Sequence, residues 1–507
     1  MSSYIPPSVI VNGTTSFGGN TGTVSPATVA LIVNMGSILP TATVTITQAQ
    51  GNAGYTIPAN AIQNTITATQ ISGNTQLSQG SDYTLNGQTF TLESGQTTGN
   101  IQISYQWISN ELMTPTAWNS SSAVENYYGT AFNTQGQVIN PISAGAIYAF
   151  GGGASSVIIL PYYAGYSNSG DQPANIGGTT INWVTSFPQA LGIIMQRSDV
   201  DTIVPVWVSS GALEAVFPTL LSPSEDEIQQ RMICALDNNG SAGSGDTGWY
   251  AGAGAAGQTL TTLTQFQSIT AAANSPQIMV IGNSWATNTQ GQQMVPSMYA
   301  CAVAGMTQTM SFNQTLTHAV VPGFALDHSL TPTQMNQLAE CGCTVISAIN
   351  GKNRIRQALC TVQNQSLDWN YGAVFNYICS ELKAMFEPYI GKPQNGTVLN
   401  SALGALTGFL SQLENAYIIA GYQNASVSYS TTQQGTMLVS FEAAWLSPIN
   451  YILVNFTFDT NSGGATNSLQ VSNGSANTVS TVKINAPAKT TVATGTDIIN
   501  AHPEEKH

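Results

Sequence analysis

Short apolar segments alternate with helix-forming segments between residues 120 and 348, and this alternation restricts the fold more than any other feature. A helix is expected in "TPTQMNQLAECG", because it begins at Thr331 with Pro332 next and ends at Gly342. Further helices are expected in "SEDEIQQRMICALDN" and "GQQMVPSMYACAVAGMTQTM", and strands in "SVIILPYY", "TIVPVWV", "QIMVIGN" and "HAVVPGF". Alternating strands and helices predict a central α/β domain over residues 120–348.

A different pattern precedes this region. Residues 36–108 alternate apolar and polar side chains with a period of two, as in "TATVTITQA" and "NIQISYQWIS", and Asn86-Gly87 is a hairpin signal. This pattern predicts an inserted all-β, sandwich-like domain over residues 36–108. Residues 1–33 are predicted to form an N-terminal extended arm, because Pro6 and Pro7 disfavour a helix there.

Residues 349–460 repeat the mixed pattern and are predicted to form a C-terminal α/β domain. "RIRQALCTV" and "NYILVNFTFDT" read as strands, "ASVSYSTTQQGTMLVSFEAAW" as a hairpin, and the two segments between residues 367 and 419 as helices. Residues 461–507 are rich in Asn, Ser, Thr and Gly and are predicted to be a flexible C-terminal tail, with one strand near "STVKINA". The expected fold class is therefore α/β (α+β) and multidomain, with extended terminal arms.

Charge is scarce throughout the chain. Ten Lys and Arg stand against 24 Asp and Glu among 507 residues, which gives a net charge of −14. No broad basic surface can be built from ten cations, so nucleic-acid binding is disfavoured. A surface with so few charges suits a protein that packs against copies of itself, although a secreted protein with a polar coat has the same composition.

No secretory signal is visible in "MSSYIPPSVIVNG", which lacks a basic region and a long apolar one. The apolar stretch "ISAGAIYAFGGGASSVIILPYY" is interrupted by Gly151, Gly152 and Gly153 and by Pro161. It is therefore interpreted as a buried helix followed by a buried strand, and no membrane insertion is expected.

Six cysteines occur, and none of their spacings is that of a common zinc or redox motif. Buried free thiols are the favoured interpretation. The alternative hypothesis is that disulfides form between subunits, with Cys341 and Cys343 as the candidates.

Catalytic motifs do not assemble in this sequence. Only four histidines are present, no G-x-S-x-G or P-loop occurs, and the glycine patterns at 243–248 and 252–257 share one loop-like segment. We therefore predict that the chain is not an enzyme and has no catalytic residues, metal site or cofactor. An α/β enzyme with an unrecognised site around His318 or Asp327 is a less favoured alternative.

The order of segments after residue 339 carries more information than any motif. "AECGCTVISAINGKNRIRQALCTVQ", two long helical segments and a late "SPINYILVNF" follow one another, while "YIPPSVIVNG" stands at the amino end. This order resembles the contractile tail sheath proteins of myovirus-type bacteriophages. Pro7 departs from that family's pattern, in which glycine is usual at this position.

The resemblance implies a structural subunit of a contractile phage tail sheath. Such subunits form stacked hexameric rings around a tail tube protein, join baseplate and tail terminator proteins, and contract during infection, for viral genome ejection, to drive the tube through the host envelope. The implied location is the virion tail, after synthesis in the host cytoplasm. Another self-assembling surface or fibre protein remains the alternative.

In the family, rings are linked by strands that terminal arms donate to a neighbour's sheet, which is β-augmentation. The resemblance therefore implies two sets of strand residues. The inter-subunit arm strand would contain Tyr4, Ile5, Val9, Ile10 and Val11, and the C-terminal strand would contain Tyr451, Ile452, Val454, Phe456 and Phe458.

Three of the ten cations, Lys352, Arg354 and Arg356, fall within five positions. Because they alternate on a predicted strand, they are expected to share one face. The resemblance places this region near the tube, so these side chains are candidates for contact with the tube or with a neighbouring subunit. A solvated strand face explains them equally well.

Overall fold

The structure is a computed structural model, and it describes most of the chain between residues 28 and 500. The described ranges are 28–35, 41–58, 61–62, 65–93, 99–107, 110–164, 175–176, 179–180, 182–197, 199–208, 210–221, 230–235, 260–282, 286–291, 293–311, 313–326, 330–362, 367–446, 451–457, 466–471, 480–485 and 494–500.

The strands are, in chain order, β1 Val29–Asn34, β2 Thr41–Ile46, β3 Tyr55–Thr56, β4 Thr67–Gln70, β5 Thr75–Leu77, β6 Tyr83–Asn86, β7 Thr89–Leu92, β8 Ile101–Gln106, β9 Thr116–Trp118, β10 Val157–Tyr162, β11 Asn175–Ile176, β12 Thr179–Thr180, β13 Thr202–Val206, β14 Arg231–Ala235, β15 Ile278–Ile281, β16 Ala286–Thr287, β17 Gln293–Met294, β18 Cys343–Ile349, β19 Lys352–Gln357, β20 Ile419–Tyr429, β21 Met437–Trp445, β22 Tyr451–Thr457, β23 Thr466–Val471, β24 Ser480–Asn485 and β25 Thr494–Asn500.

The α-helices are α1 Gln48–Ala53, α2 Ser121–Tyr128, α3 Pro141–Gly152, α4 Phe187–Met195, α5 Ser210–Leu221, α6 Leu260–Ala273, α7 Ser297–Thr307, α8 Pro332–Glu340, α9 Asn370–Phe386 and α10 Gly396–Asn415. The mixed α/β class predicted from the sequence is confirmed. Among the described helices, none combines the length and the apolar character needed to cross a membrane.

An eight-stranded sheet forms the main core, in the order β19-β18-β15-β14-β13-β1-β10-β9. Its six inner strands run parallel to their neighbours, and β9 and β19 close the two ends as antiparallel strands. Parallel strands covered by helices on both faces need continuous apolar runs, and "VALIVN" of β1 and "VIILPY" of β10 are such runs.

The predicted N-terminal arm therefore ends earlier than residue 33. Every residue of Val29–Asn34 is buried, and the strand lies between β10 and β13 near the middle of the sheet. An uninterrupted apolar segment gains more by burial on both faces than by lying extended on the surface. The earlier part of the predicted arm lies outside the described residues.

Two further predictions were wrong. "RMICA", expected at the end of a helix, is the buried strand β14, because it lies between two parallel strands and is covered on both faces. "HAVVPGF", expected to be a strand, consists of turns with isolated bridges at Val320 and Phe324. By contrast, α8 begins on the predicted capping residue Thr331, whose side chain accepts a hydrogen bond from the Gln334 amide.

Helices α3 and α7 pack against each other through glycine. A Cβ built on Gly152 would collide with the Ala302 carbonyl oxygen, and one on Gly305 with the Ala149 carbonyl oxygen. The two backbones are therefore in direct contact, which only glycine permits. Gly153 ends α3 in a left-handed conformation, as the glycine run in the sequence indicated.

Residues 41–107 surround a second, smaller core. Two small sheets, ordered β2-β8-β4-β5 and β3-β7-β6, enclose buried side chains that include Ile46, Phe90 and Ile101. The turn between β6 and β7 is the predicted Asn86-Gly87 turn, and Gly87 has a φ of 58°. Most of this segment is strand, as expected, but it also contains the short helix α1, which begins after the capping residue Thr47. The predicted all-β content is therefore wrong at this point, and the domain boundaries drawn from the sequence remain predictions.

A third core lies between α9, α10 and the β20–β21 hairpin. Leu382 and Phe386 at the end of α9 belong to it, whereas Trp369 and the start of α9 belong to the main core. The segment predicted as a flexible tail contains three strands, β23 to β25, which join β22 in a sheet ordered β24-β23-β22-β25. The predicted strand near "STVKINA" is β24.

We predict that Gly305→Ala destabilises the protein by about 1–3 kcal/mol, because the added methyl group meets a backbone carbonyl that no side-chain rotation can move. The matched control is Gly404→Ala in α10, where a Cβ meets nothing. Its expected effect is a gain of about 0.5–1 kcal/mol from helix propensity. Urea unfolding followed by tryptophan fluorescence gives both values, and equal effects at the two sites would contradict the close α3–α7 packing.

Candidate functional site

The three clustered cations lie on the hairpin that ends the central sheet. Strands β18 and β19 are joined by Asn350 and Gly351, with φ values of 51° and 71°. Two consecutive left-handed residues make the tight turn that matches the twist of an antiparallel pair, and Asn-Gly is the sequence that best tolerates it. The sequence therefore determines this hairpin locally.

The alternation expected for the cations holds for only part of β19. Lys352 is exposed and Arg354 is half-buried, whereas Asn353 and Ile355, the residues that follow each of them, are buried. The register then shifts: Ile346 pairs with Ile355 but Val345 pairs with Gln357, so Arg356 is the extra residue of a β-bulge. A bulge interrupts the alternation of side chains, so the strand register does not place Arg356 on the face of the other two cations.

A segment with no regular secondary structure covers the outer edge of β19. We call residues 313–321 the edge strap. Three backbone hydrogen bonds join it to β19: the His318 amide donates to the Ile355 carbonyl (2.7 Å), the Ile355 amide to the Ala319 carbonyl (3.0 Å), and the Val321 amide to the Asn353 carbonyl (2.9 Å). The segment "HAVVPGF" has the composition of a strand. It does not form one, because it pairs with β19 over only a few residues.

Arg354 takes part in this contact. Its Nη1 donates a hydrogen bond of 2.7 Å to the His318 carbonyl oxygen. His318 has a φ of 67°, a value that residues other than glycine rarely adopt. Burial and the nearby Arg354 charge lower the pKa of its imidazole. Arg354 is therefore engaged within its own subunit, while Lys352 projects into solvent.

The Asp368 carboxylate binds the edge strap through hydrogen bonds. Its carboxylate accepts hydrogen bonds from the hydroxyls of Thr315 (2.6 Å) and Thr317 (3.2 Å) in the strap and from the Asn370 amide (3.1 Å) at the start of α9. The side chain is 1% exposed, and burial raises its pKa from the usual 3.8 to about 6. The three donors oppose that rise but do not cancel the cost of removing a charge from water.

Polar contacts hold the start of α9 against the main core. No sequence pattern indicates these contacts. Gln277 and Asn376 exchange two side-chain hydrogen bonds of 2.9 and 3.1 Å in a buried site. Gly372 lies against the Pro276 carbonyl, where a Cβ would collide. The Arg231 guanidinium, paired with Asp201 at 2.6 Å, lies 5.0 Å from the centre of the Trp369 ring.

All six cysteines are buried free thiols, as the favoured interpretation expected. Cys343 is fully buried, and burial raises the pKa of its thiol well above the usual value. Cys341 is 7% exposed, and its Sγ donates a hydrogen bond to the Gln337 carbonyl. A disulfide requires the two sulfurs to meet at about 2.05 Å, which the burial of both thiols opposes, and the inter-subunit disulfide stays a prediction.

The C-terminal strand β22 lies between two other strands. It pairs antiparallel with β23 on one side and with β25 on the other. Val454 and Phe456 are therefore paired on both edges, whereas Tyr451 and Ile452 pair only with β25. Phe458 lies outside the described residues. The arm-strand residues Tyr4, Ile5, Val9, Ile10 and Val11 also lie outside them.

Hairpin β20–β21 has a different environment. Its strands have 11 and 9 residues, and within the described chain they pair with each other and with no further strand. One face, with Tyr422, Val427, Val439 and Phe441, packs on α10 and the third core, and the other face is exposed. Two long strand edges are thus available on the described surface.

Sequence reasoning found the cations and the strand that carries them but missed the β18–β19 hairpin, the edge strap and Asp368. No periodic signal marks either the strap or Asp368, because the residues of the strap bond to partners that are 32 to 57 residues away in the chain. Within the described ranges, no three His, Cys, Asp or Glu side chains come together as a group that could hold a metal ion.

No protein-family model and no curated protein matches this sequence. Solved structures do match. One is a chain of the anti-feeding prophage (AFP) baseplate, 6-fold symmetrised, with a TM-score of 0.50 and 14% identity over 90% of this chain and 100% of that one.

Two further matches have lower TM-scores. A chain of the PVC sheath complex of an extracellular contractile injection system, in the contracted state, has a TM-score of 0.49 and 12% identity over 90% of this chain and 99% of that one. The sheath tail protein from Desulfitobacterium hafniense has a TM-score of 0.37 and 11% identity over 94% and 100%. At the level of fold alone, this chain is similar to a chain of the AFP baseplate, and this conclusion depends on the first match.

We predict that Arg354→Gln lowers the free energy of unfolding by about 1–2 kcal/mol, because it removes a charge-assisted hydrogen bond to the His318 carbonyl. Lys352→Gln, two residues away on the same strand, is the matched control and is expected to change stability by less than about 0.5 kcal/mol. Urea unfolding of both variants tests this, and equal losses would show that Arg354 is not engaged within the subunit.

Proposed function

We propose that this chain is a structural subunit of a contractile tail sheath, which polymerises as stacked hexameric rings around a tail tube. The observation that carries the proposal is the fold match to a chain of the 6-fold symmetrised AFP baseplate, which extends over 90% of this chain and the whole of that one. The low content of charged residues also supports it, because few like charges oppose the close packing of copies.

The proposed link between subunits is β-augmentation at the β20–β21 hairpin. An isolated two-stranded sheet is marginally stable, and long free edges invite further strands. The hairpin carries one acidic side chain, Glu442, and no Lys or Arg, so it lacks the charged residues with which edges are commonly protected. A strand from a neighbouring subunit would satisfy the unpaired backbone groups of this edge.

The better acceptor is the outer edge of β21. Both register shifts of the hairpin place one extra residue on β20, so the β20 edge is irregular. In the first the extra residue is Ala420, and in the second Asn424 and Ala425 together stand opposite Phe441. The Ser430 amide donates to the Thr436 carbonyl, which makes these two a hydrogen-bonded pair. Because such pairs alternate with non-hydrogen-bonded ones, the amides of Met437 and Val439 point away from β20, toward an incoming strand.

The proposed donor is the arm strand that contains Tyr4, Ile5, Val9, Ile10 and Val11, from the N-terminal arm of a neighbouring copy. The C-terminal strand β22 is paired on both edges over Val454–Thr457 and would have to give up part of this pairing to donate its full length, so it is the less favoured donor. Main-chain hydrogen bonds demand little of the side chains, which fits the polar, low-complexity arm.

In this proposal the chain has no enzymatic role and belongs to the tail of a virion or a related particle. Its partners are copies of itself, the tube protein, and the baseplate and terminator proteins at the two ends. Contraction would move subunits as near-rigid bodies while the strand links hold. Weak polar contacts suit such a change, because two different packings of the same surfaces can then have similar free energies.

Expressed alone, the protein is expected to form hollow cylinders that are visible by negative-stain electron microscopy. Removing residues 1–20 should leave a folded monomer that does not polymerise, because the donor strand is lost. Removing residues 501–507, which also lie outside the described ranges, is the matched control and should leave polymerisation unchanged.

The acceptor edge is tested in the same experiment. Val439→Pro removes one outward-pointing amide and should abolish polymerisation, while Val439→Ala, which shortens the same side chain and keeps the amide, should not. Circular dichroism confirms that both variants fold. Polymerisation by Val439→Pro would contradict β21 as the acceptor, and polymerisation without residues 1–20 would contradict the arm as the donor.

We also propose that the exposed cation Lys352, together with Arg356, contacts acidic groups on the tube or on a neighbouring subunit. Pairs of this kind are weak and screened by salt. The double variant Lys352→Gln with Arg356→Gln keeps Arg354 in its internal contact and is expected to shorten assembled tails or lower their contraction threshold. Unchanged tail length, yield and threshold would reject this role and leave a solvated strand face.

A further inference from the structure

Asp368 is a buried carboxylate that faces no cation. Within the described chain the ion pairs are Arg197–Asp199 and Arg231–Asp201, and neither includes it. Its partners are two hydroxyls and one backbone amide, and both hydroxyls belong to the edge strap. The charge of this carboxylate is therefore kept from water by a segment that carries two of its three hydrogen-bond donors.

The edge strap has few other attachments. Besides its three backbone bonds to β19, its two hydroxyl bonds to Asp368 and the Arg354 bond to the His318 carbonyl, two contacts hold it. The Ala358 amide donates to the Thr317 hydroxyl (3.0 Å), and the Asn370 side chain donates to the Asn313 carbonyl (3.0 Å). Only Leu316 and Val321 of the strap are buried apolar side chains. Both side chains belong to the main core, so the proposed undocking withdraws them from it. Segments with few buried apolar contacts open at a lower free-energy cost than the core as a whole.

We propose that the edge strap is a pH-gated cover of β19, with Asp368 as the titrating group, and that the strap docks more tightly when this carboxyl carries a proton. Undocking removes Thr315 and Thr317 and admits water, which favours the ionised form. Docking excludes water, which favours the neutral form. A protonated carboxyl can donate to either hydroxyl oxygen at the same positions, so the docked geometry suits both forms.

The direction of the pH dependence follows from linkage. The docked pKa, about 6, lies above the usual value of 3.8, so the docked state binds the proton more tightly than the open state. Docking is therefore strongest below about pH 4, weakens as the pH rises through 6, and changes little above that. A difference of about two pKa units corresponds to a roughly hundredfold change in the opening equilibrium.

Other titratable groups near Asp368 do not produce this pattern. The thiol of Cys360 has a pKa raised to about 12 by burial and stays neutral over this range. His318, on the strap, has a lowered pKa, so acid would charge it and favour opening, which is the opposite direction. The charged group of β19 that contacts the strap is Arg354, at the His318 carbonyl.

Undocking would uncover the backbone groups of Asn353 and Ile355 and release the Arg354 guanidinium. The end of the eight-stranded sheet would then present an open strand edge with a free cation beside it. The device therefore links the protonation of one buried carboxylate to the accessibility of the sheet's last strand.

Hydrogen–deuterium exchange of the full-length protein, measured by mass spectrometry between pH 4 and pH 8, tests the proposal. Peptides that cover residues 313–321 and 352–358 are followed, and the rates are corrected for the intrinsic pH dependence of exchange. In the wild type, protection of these peptides is expected to fall roughly a hundredfold from pH 4 to pH 7, while peptides from β1 and β10 show no such change.

Asp368→Asn is expected to remove this pH dependence, and His318→Asn, which tolerates the left-handed φ, is expected to keep it. Thr315→Val deletes one donor to the carboxylate and should shift the midpoint to higher pH, which provides a second test if Asp368→Asn does not fold. An unchanged pH dependence in Asp368→Asn, or a midpoint that Thr315→Val does not move, would overturn the proposal.

Discussion

The burial of β1 on both faces is the constraint on which the rest of this structure depends. Six consecutive apolar or amide side chains enter the sheet between β10 and β13 and leave no part of the strand exposed. A strand of this kind is typical of the interior of a parallel sheet with helices on both sides. The segment 41–107 follows β1 directly in the chain and precedes β9 and β10 of the same sheet. It is therefore an insertion between strands of this sheet.

A sheet of this kind has two ends, and the chain protects both of them. Antiparallel β9 closes one end and the β18–β19 hairpin the other, with the edge strap lying against β19. The β20–β21 hairpin is treated differently, because its strands are longer and neither is covered within the described chain. This contrast between a protected sheet and an open hairpin is what directs the proposed assembly contacts to the C-terminal region.

Buried polar groups decide how α9 and the strap sit on the core. The Gln277–Asn376 amide pair satisfies both side chains at once and so fixes one position of α9. Asp368 is only partly compensated, since its three donors do not offset the loss of hydration. The amide pair carries no titratable group, so its hydrogen bonds do not depend on pH, whereas those of Asp368 do. Two contacts on the same helix start therefore differ in whether pH can change them.

Local sequence signals determined the elements that depend on neighbouring residues. Thr331 with Pro332 specified the start of α8, Asn350-Gly351 the β18–β19 turn, and the period-two segments the strands of the all-β region. Segment order alone indicated the sheath-like fold. These features are readable because capping, turn geometry and side-chain alternation act over a few residues.

Tertiary structure alone decided the rest. "RMICA" became a strand because two parallel neighbours cover it, and "HAVVPGF" did not become one because β19 pairs with only a few of its residues. The bulge at Arg356 and the burial of Asp368 likewise depend on partners far away in the chain. A sequence pattern cannot report these, because the free energy of burying a segment depends on what covers it, and that is known only when the chain has folded.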